Sequence, residues 1–150
     1  RDQLQRKLNF DSPPQRIVSL VPSQTELLVA MGLEDNIVGL TKFCVHPPHL
    51  KKQKKIVGGT KKVHYERIRD LQPDVILCNK EENTLEMVIE LENIAPVHVS
   101  DVIKIEDSLE LIQQYGNLFS KQVEAKEIVR EIEVELENFK DLNFPGRKVA

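Results

Sequence analysis

Arg16-Ile17-Val18-Ser19-Leu20-Val21-Pro22-Ser23-Gln24-Thr25-Glu26-Leu27-Leu28-Val29-Ala30-Met31-Gly32 is the stretch whose reading decides the fold. Ile17, Val18, Leu20 and Val21 form a near-continuous apolar run, the pattern of a parallel strand covered on both faces. Pro22 stops the strand and a helix follows at once. Ser23 stands three residues before Glu26, the spacing of a capping box in which each side chain satisfies the other's free backbone donor. Gly32 comes after the last apolar position and supplies the helix stop. A strand feeding a helix through so short a turn predicts an α/β sheet whose C-terminal edge carries the ligand site.

Outward from this unit the alternation repeats. Ile37-Val38-Gly39-Leu40 and Ile56-Val57 read as the second and third strands, Val75-Ile76-Leu77-Cys78 as the central one, and Val97 to Val99 as the fifth. Helices are expected from Tyr65 to Leu71, from about Asn83 to Asn93 with a cap, and from Asp107 to Phe119. Pro47 and Pro48 keep the loop from Thr41 irregular. The repeated β-α order implies a parallel sheet. Residues 2–10 read as an edge hairpin or arm ending at Ser12-Pro13-Pro14.

Beyond residue 120 the pattern changes. Ala125, Val129, Ile132, Leu136 and Phe139 recur at three- and four-residue steps among Glu, Lys and Arg, which predicts a long amphipathic helix with a narrow apolar stripe. About twenty residues at this rise span roughly 30 Å, the width of a small domain. The fold class is therefore α/β: a parallel-sheet, three-layer lobe over residues 1–120, then a long helix over 121–142. Asn143-Phe144-Pro145-Gly146 reads as a turn and Arg147-Lys148-Val149-Ala150 as a strand, so residues 143–150 are expected to open a second α/β unit.

Composition narrows the classes. A chain of 150 residues can bury one sizeable core, and 30% charged with 40% hydrophobic residues is ordinary for a globular protein. A net charge of -3 argues against a dedicated nucleic-acid binder. No apolar stretch approaches the roughly 20 residues that cross a bilayer. The chain opens at Arg1 and not at Met, so the lack of a targeting segment proves little about location. Cys44 and Cys78 are too few for a disulfide framework; Cys78, in an apolar strand, reads as a buried thiol.

Several segments together resemble the periplasmic solute-binding proteins of ABC importers that handle cobalamin and ferric siderophores. They are Pro14 to Leu20, Pro22 to Leu28, Val57-Gly58-Gly59, Glu66-Arg67-Ile68 and Leu71 to Ile76. Thr41-Lys42-Phe43-Cys44-Val45-His46-Pro47 is most similar to the cobalamin-binding branch. Gln5 departs from the family's opening Asp-x-x-Gly-Arg pattern, where glycine would stand. The resemblance implies two α/β lobes bridged by a long backbone helix, this chain holding the N-terminal lobe, the helix and the first strand of the other lobe. It implies capture of a cobalt corrinoid first or a ferric chelate second, delivery to a membrane permease, and a periplasmic or cell-envelope location. No intrinsic cofactor and no enzymatic activity are expected. It also implies that Glu66 pairs with an arginine of the permease.

Loops after the strand C-termini hold the candidate ligand residues: Ser23, Gln24, Phe43, Cys44, His46, Gly59, Thr60, Tyr65, Asn79, Lys80 and Glu81. Phe43 and Tyr65 could lie against a macrocycle or an aromatic siderophore, or belong to the core. Glycines at 58 and 59 would let backbone approach a bulky ligand, or simply make a turn. Lys51, Lys52, Lys54 and Lys55 form a basic run, read as solvated surface or as an attractor of an acidic ligand. Cys44 and His46 carry the types that hold zinc or iron, at a spacing matching no standard zinc signature. The alternative reading is thus a metal- or heme-binding module of Cys44, His46 and His64. A small enzyme with Cys44 as nucleophile is the third class. There is no Gly-x-Gly-x-x-Gly, phosphate loop or Gly-x-Ser-x-Gly elbow.

Overall fold

A computed structural model describes residues 1–142; the turn and strand expected at 143–150 lie outside the described residues. Five strands, β1 (Ile17–Ser19), β2 (Ile37–Leu40), β3 (Lys55–Ile56), β4 (Val75–Asn79) and β5 (Val97–Ser100), form one sheet in the order β3-β2-β1-β4-β5. Every neighbouring pair is parallel. The helices are α1 (Pro22–Ala30), α2 (Leu50–Gln53), α3 (Tyr65–Leu71), α4 (Leu85–Leu91), α5 (Ile105–Leu118) and α6 (Gln122–Leu142). The chain runs outward from β1 to β3 and returns on the other side of β1 as β4. That reversal makes the gap between β1 and β4 the switch point of the sheet.

Alternating strand residues feed two cores. Ile17, Val75 and Leu77 face Leu28, Met31, Leu111, Ile112 and Tyr115, on the side covered by α1 and α5. Val18, Ile76, Cys78, Val97 and Val99 face Ile68, Met87, Val88 and Leu91, on the side covered by α3 and α4. The expected three layers are present. No described helix is long and apolar enough to cross a membrane.

The expected capping box at Ser23 and Glu26 does not form. Val21 is the N-cap, Pro22 stands in the first helical turn, and no side chain caps α1. Proline lacks the N–H that a first-turn position leaves unpaired and has the required φ, so the helix starts ahead of Ser23. The other end behaves as read: Gly32 has φ +80°, and Leu33 N–H donates to Leu28 O at 2.9 Å while Gly32 N–H donates to Val29 O at 3.0 Å. These are the two bonds of a Schellman stop.

Elsewhere the differences are local. β3 lies one residue early, and α4 is a shorter helix capped by Thr84, whose hydroxyl accepts from Met87 N–H at 3.2 Å. The short α2, unexpected between the prolines and β3, forms where Leu50 can be fully buried.

The N-terminal segment is an arm, not a hairpin. The Asp2 carboxylate accepts from the N–H groups of Leu4, Arg6 and Val99, and from Arg6 Nε at 2.9 Å. Gln3 N–H donates to Val99 O at 3.2 Å, so the arm covers the outer edge of β5. Burial alone would raise the Asp2 pKa, but the Arg6 and Val99 donors together hold it below the ordinary carboxylate value. Gln5 has φ +66°, a left-handed conformation that glycine adopts without strain.

The last helix leaves the lobe as it proceeds. Gly116 of α5 lets α6 approach so closely that a Cβ there would lie 2.6 Å from Ala125 Cβ. Ala125 and Val129 are buried, Ile132 and Leu136 half-buried, and Phe139 is 61% exposed. The apolar stripe therefore outruns the sheet it starts on.

His98 on β5 packs edge-on against Tyr115, with ring centroids 5.2 Å apart, and its Nε2 lies 3.0 Å from Gln114 Oε1. Its Nδ1 has no protein partner among the described residues. Burial lowers its pKa to about 4. Between the ordinary value of about 6.5 and that one, the unfolded chain takes up a proton that the native chain refuses. Native stability should thus fall by about 3 kcal/mol as pH drops through this window. Urea unfolding across pH 4 to 7 checks this: the difference curve between the parent and His98→Leu should carry that slope, and a flat difference would refute the assignment.

Candidate functional site: the loop rim at the strand C-termini

Because all five strands are parallel, their C-terminal ends lie together, and the loops that follow form one rim. Backbone and side-chain hydrogen bonds lace these loops to one another. After β2, Lys42 N–H donates to Gly58 O at 2.8 Å in the loop after β3. After β4, Lys80 N–H donates to Ser100 O at 2.8 Å, at the end of β5. Lys61 Nζ reaches Glu81 O at 2.9 Å.

Asn83 is the knot of this lacing. Its Oδ1 accepts from Asn79 N–H at 2.7 Å, and its Nδ2 donates to Thr60 O at 2.8 Å, with Leu20 O at 3.4 Å. One buried amide therefore links the loops after β1, β3 and β4. Asn79 supports it: its Oδ1 accepts from the N–H groups of Glu81 and Glu82, and its Nδ2 donates to Ser100 Oγ. Asn83 was legible only as a helix start, because its partners lie far away in sequence.

Beneath the rim at the switch point is a second polar cluster. Gln24 is buried, its Nε2 donating to Ser100 Oγ and its Oε1 accepting from Tyr115 OH at 2.6 Å. Ser100 Oγ in turn donates to Cys78 O at 3.2 Å. Both ends of the Gln24 amide are occupied, so this residue locks α1 to β5 and α5 from within. Ser23 and Glu26 stand exposed on the first turns of α1.

Of the other expected residues, Phe43, Gly59, Thr60, Tyr65, Lys80 and Glu81 lie on or beside the rim. Phe43 is 53% exposed and carries Lys42 Nζ at 5.3 Å from its ring centre. A Cβ on Gly59 would come within 3.1 Å of Phe43 Cε2, so this glycine lets the ring lie against backbone. Tyr65 is half-buried and packs against the core under α3 and α4. Lys80 is paired loosely with Asp101 at 3.9 Å.

Cys44 and His46 are not brought together as ligands. The Cys44 thiol is buried in the core; its contact with His46 is to the backbone carbonyl, 3.7 Å away, while the imidazole is exposed. Burial pushes the thiol pKa up, which disfavours the thiolate that a metal or an electrophile needs. Among the described residues, no group of three or more His, Cys, Asp or Glu is placed to hold a metal ion. Lys51 and Lys52 lie on α2 and Lys55 on β3, ahead of the rim. Cations on or beside the rim include Lys42, Lys61, Lys62 and Lys80, and Lys61 and Lys62 follow the glycine pair after Thr60.

A family model described as periplasmic binding protein matches residues 17–143. The chain belongs to the periplasmic binding protein family, a family of solute binders and not of enzymes. It is 26% identical over 144 residues, 93% of its length, to the uncharacterized ABC transporter substrate-binding lipoprotein YvrC of Bacillus subtilis. Identity to the vitamin B12-binding protein of Pectobacterium carotovorum is 30% over 115 residues, 76% of this chain. A periplasmic heme-binding protein from Pseudomonas aeruginosa superposes with TM-score 0.79 at 25% identity, over 85% of this chain and 46% of that one. The chain spans 45% and 41% of the two relatives, a little under half their length.

If Asn83 ties the rim together, Asn83→Ala should cost about 1–3 kcal/mol by leaving buried carbonyls and an N–H unpaired. Hydrogen exchange should then speed up at Asn79 N–H and in the loop from Gly58 to Val63 while the centre of the sheet stays protected. Unchanged exchange in that loop would show that Asn83 does not hold it.

Proposed function

We propose that this chain supplies one lobe and the bridging helix of the solute-binding component of an ABC importer. The protein would capture a metal chelate of the size of a corrinoid, heme or ferric siderophore at the loop rim and deliver it to a membrane permease. The observation that carries the reading is the rim itself: five parallel strands opening on one set of laced loops, in a chain of this family. The names of the relatives support the ligand class, one naming vitamin B12 and one heme. The family supports a periplasmic or other extracytoplasmic setting.

Capture needs no covalent chemistry. A rim stiffened by internal hydrogen bonds loses little freedom on binding, which favours affinity through preorganisation. The stripe of α6 beyond Val129 supports its role as the bridge, since it offers apolar surface past the end of this lobe. A continuous helix between lobes would restrict closure to a small motion, because it bends less readily than loop hinges.

Glu66 is the proposed docking residue. It opens α3 at the same end of the molecule as the rim and is 83% exposed, with Arg69 Nη1 at 3.4 Å as a weak neighbour. A charge so placed sets orientation and encounter rate more than affinity.

Calorimetric titration of the whole two-lobed protein with cyanocobalamin, hemin and a panel of ferric siderophores tests the reading. One-to-one binding of a chelate is expected, and silence from a folded protein across the panel would remove it. In reconstituted transport, Glu66→Gln should leave chelate affinity unchanged and slow uptake several-fold. Undiminished uptake would take Glu66 out of the docking surface.

A further inference from the structure

One groove on the rim has a charge balance that the chain as a whole does not share. The sequence carries 24 acidic and 21 basic residues. Yet a groove of about 620 Å³ beside the Gly58–Gly59 turn is walled by Lys42, Lys61, Lys62, Arg67, His64 and Tyr65, with no carboxylate in its lining. That volume lies within the usual range for a small-molecule site.

Three of these cations, Lys42, Lys61 and Arg67, are held in place without being neutralised. Lys61 Nζ donates to the Glu81 carbonyl and Arg67 Nη1 to the Ile56 carbonyl at 3.2 Å, while Lys42 lies over the Phe43 ring. None of Lys42, Lys61, Lys62 and Arg67 is in an ion pair among the described residues, whereas Arg6, Arg69 and Lys80 all are. Carbonyl and ring contacts fix a cation's position but leave its formal charge uncompensated.

Backbone geometry maintains the arrangement. Gly58 has φ +133°, and a Cβ there would lie 2.6 Å from Lys62 O. Gly59 N–H donates to that same carbonyl at 2.8 Å, and His64 N–H donates to Val57 O. This tight turn presents Lys61 at its tip and Lys62 at its closing end, and carries the chain into Tyr65 and α3.

We infer that the chelate accepted at this rim is anionic, with carboxylate or catecholate oxygens engaging Lys61, Lys62, Arg67 and Lys42. The inference rests on the solute-binding reading above and narrows its ligand class. Enclosing this groove around a charge-neutral chelate would desolvate cations with nothing to pair them, a costly arrangement. Anionic oxygens would supply the missing counter-charge, and the field of the clustered cations would also speed their capture. Phe43, with its ring half exposed beside Gly59, offers an aromatic face to a planar ligand.

The test is calorimetry on the two-lobed protein with two anionic probes, ferric tris(catecholate) and hemin, and two neutral ones, cyanocobalamin and a neutral ferric trihydroxamate. An anionic probe should bind at least about tenfold tighter than either neutral one, and weaken as salt is raised. The double substitution Lys61→Gln and Lys62→Gln should weaken it about tenfold, while Lys61→Arg with Lys62→Arg should restore most of the affinity. The unfolding midpoint of each variant separates loss of charge from loss of fold. Tight binding of a neutral probe, indifferent to salt and to these substitutions, would overturn the inference and leave the solute-binding reading standing. Anionic binding insensitive to both would overturn it too. Failure of all four probes to bind would remove both.

Discussion

Parallel pairing of β1 with β2 on one side and β4 on the other is the constraint on which the rest of the structure depends. Parallel neighbours must be joined by a crossover, so each strand returns its chain over a face of the sheet before the next begins. Both faces are thereby covered, and the inner strands β1 and β4 are apolar on both. The same geometry sends all five C-termini to one end. A single loop rim is then a consequence of topology, and the chain reversal between β1 and β4 marks its centre.

A rim made of loops has to be stabilised by something other than apolar packing. Here that task falls to side-chain amides and hydroxyls. Asn83 joins three loops through one amide, and Asn79, Gln24, Ser100 and Tyr115 form a connected cluster around the ends of β4 and β5. Buried polar groups of this kind are costly when incomplete and rigidifying when satisfied. The Gln24 amide is satisfied at both ends, which places it in the frame beneath the rim. Freedom is left to the side chains above, notably Phe43, Lys62 and the exposed end of Tyr65.

Charge and apolar surface point in different directions from this frame. The cations around the glycine turn lie on the β3 side of the rim, with Lys42, Lys61 and Arg67 anchored to carbonyls and a ring. The stripe along α6 begins in the core at Ala125 and Val129 and continues past the lobe through Leu136 and Phe139. A lobe with a groove of unpaired cations on its rim and a helix whose apolar face outlasts its own core has two surfaces suited to further contacts. One suits a polar ligand and the other an apolar protein surface.

The sequence by itself determined the elements whose signals are local. Apolar runs at 17–21 and 75–78 read as covered strands, Gly32 as a helix stop that the structure realises at φ +80°, and the three- and four-step stripe from Ala125 as a long helix. The resemblance at Val57-Gly58-Gly59 and Leu71 to Ile76 likewise lay in contiguous segments. Local reading failed where two short-range rules competed, as at Pro22 and Ser23, where proline's fixed φ displaced the expected cap. It could not reach what depends on distant partners. Whether Gln24 faced ligand or core was decided by Ser100 and Tyr115, and Cys44 was turned inward by packing against α1 and its neighbours. Which cations gather at the rim was decided by the Gly58 turn and by the carbonyls of Glu81 and Ile56, which hold Lys61 and Arg67. Those contacts join residues that only the folded sheet brings within hydrogen-bonding range, and the tertiary structure alone decided them.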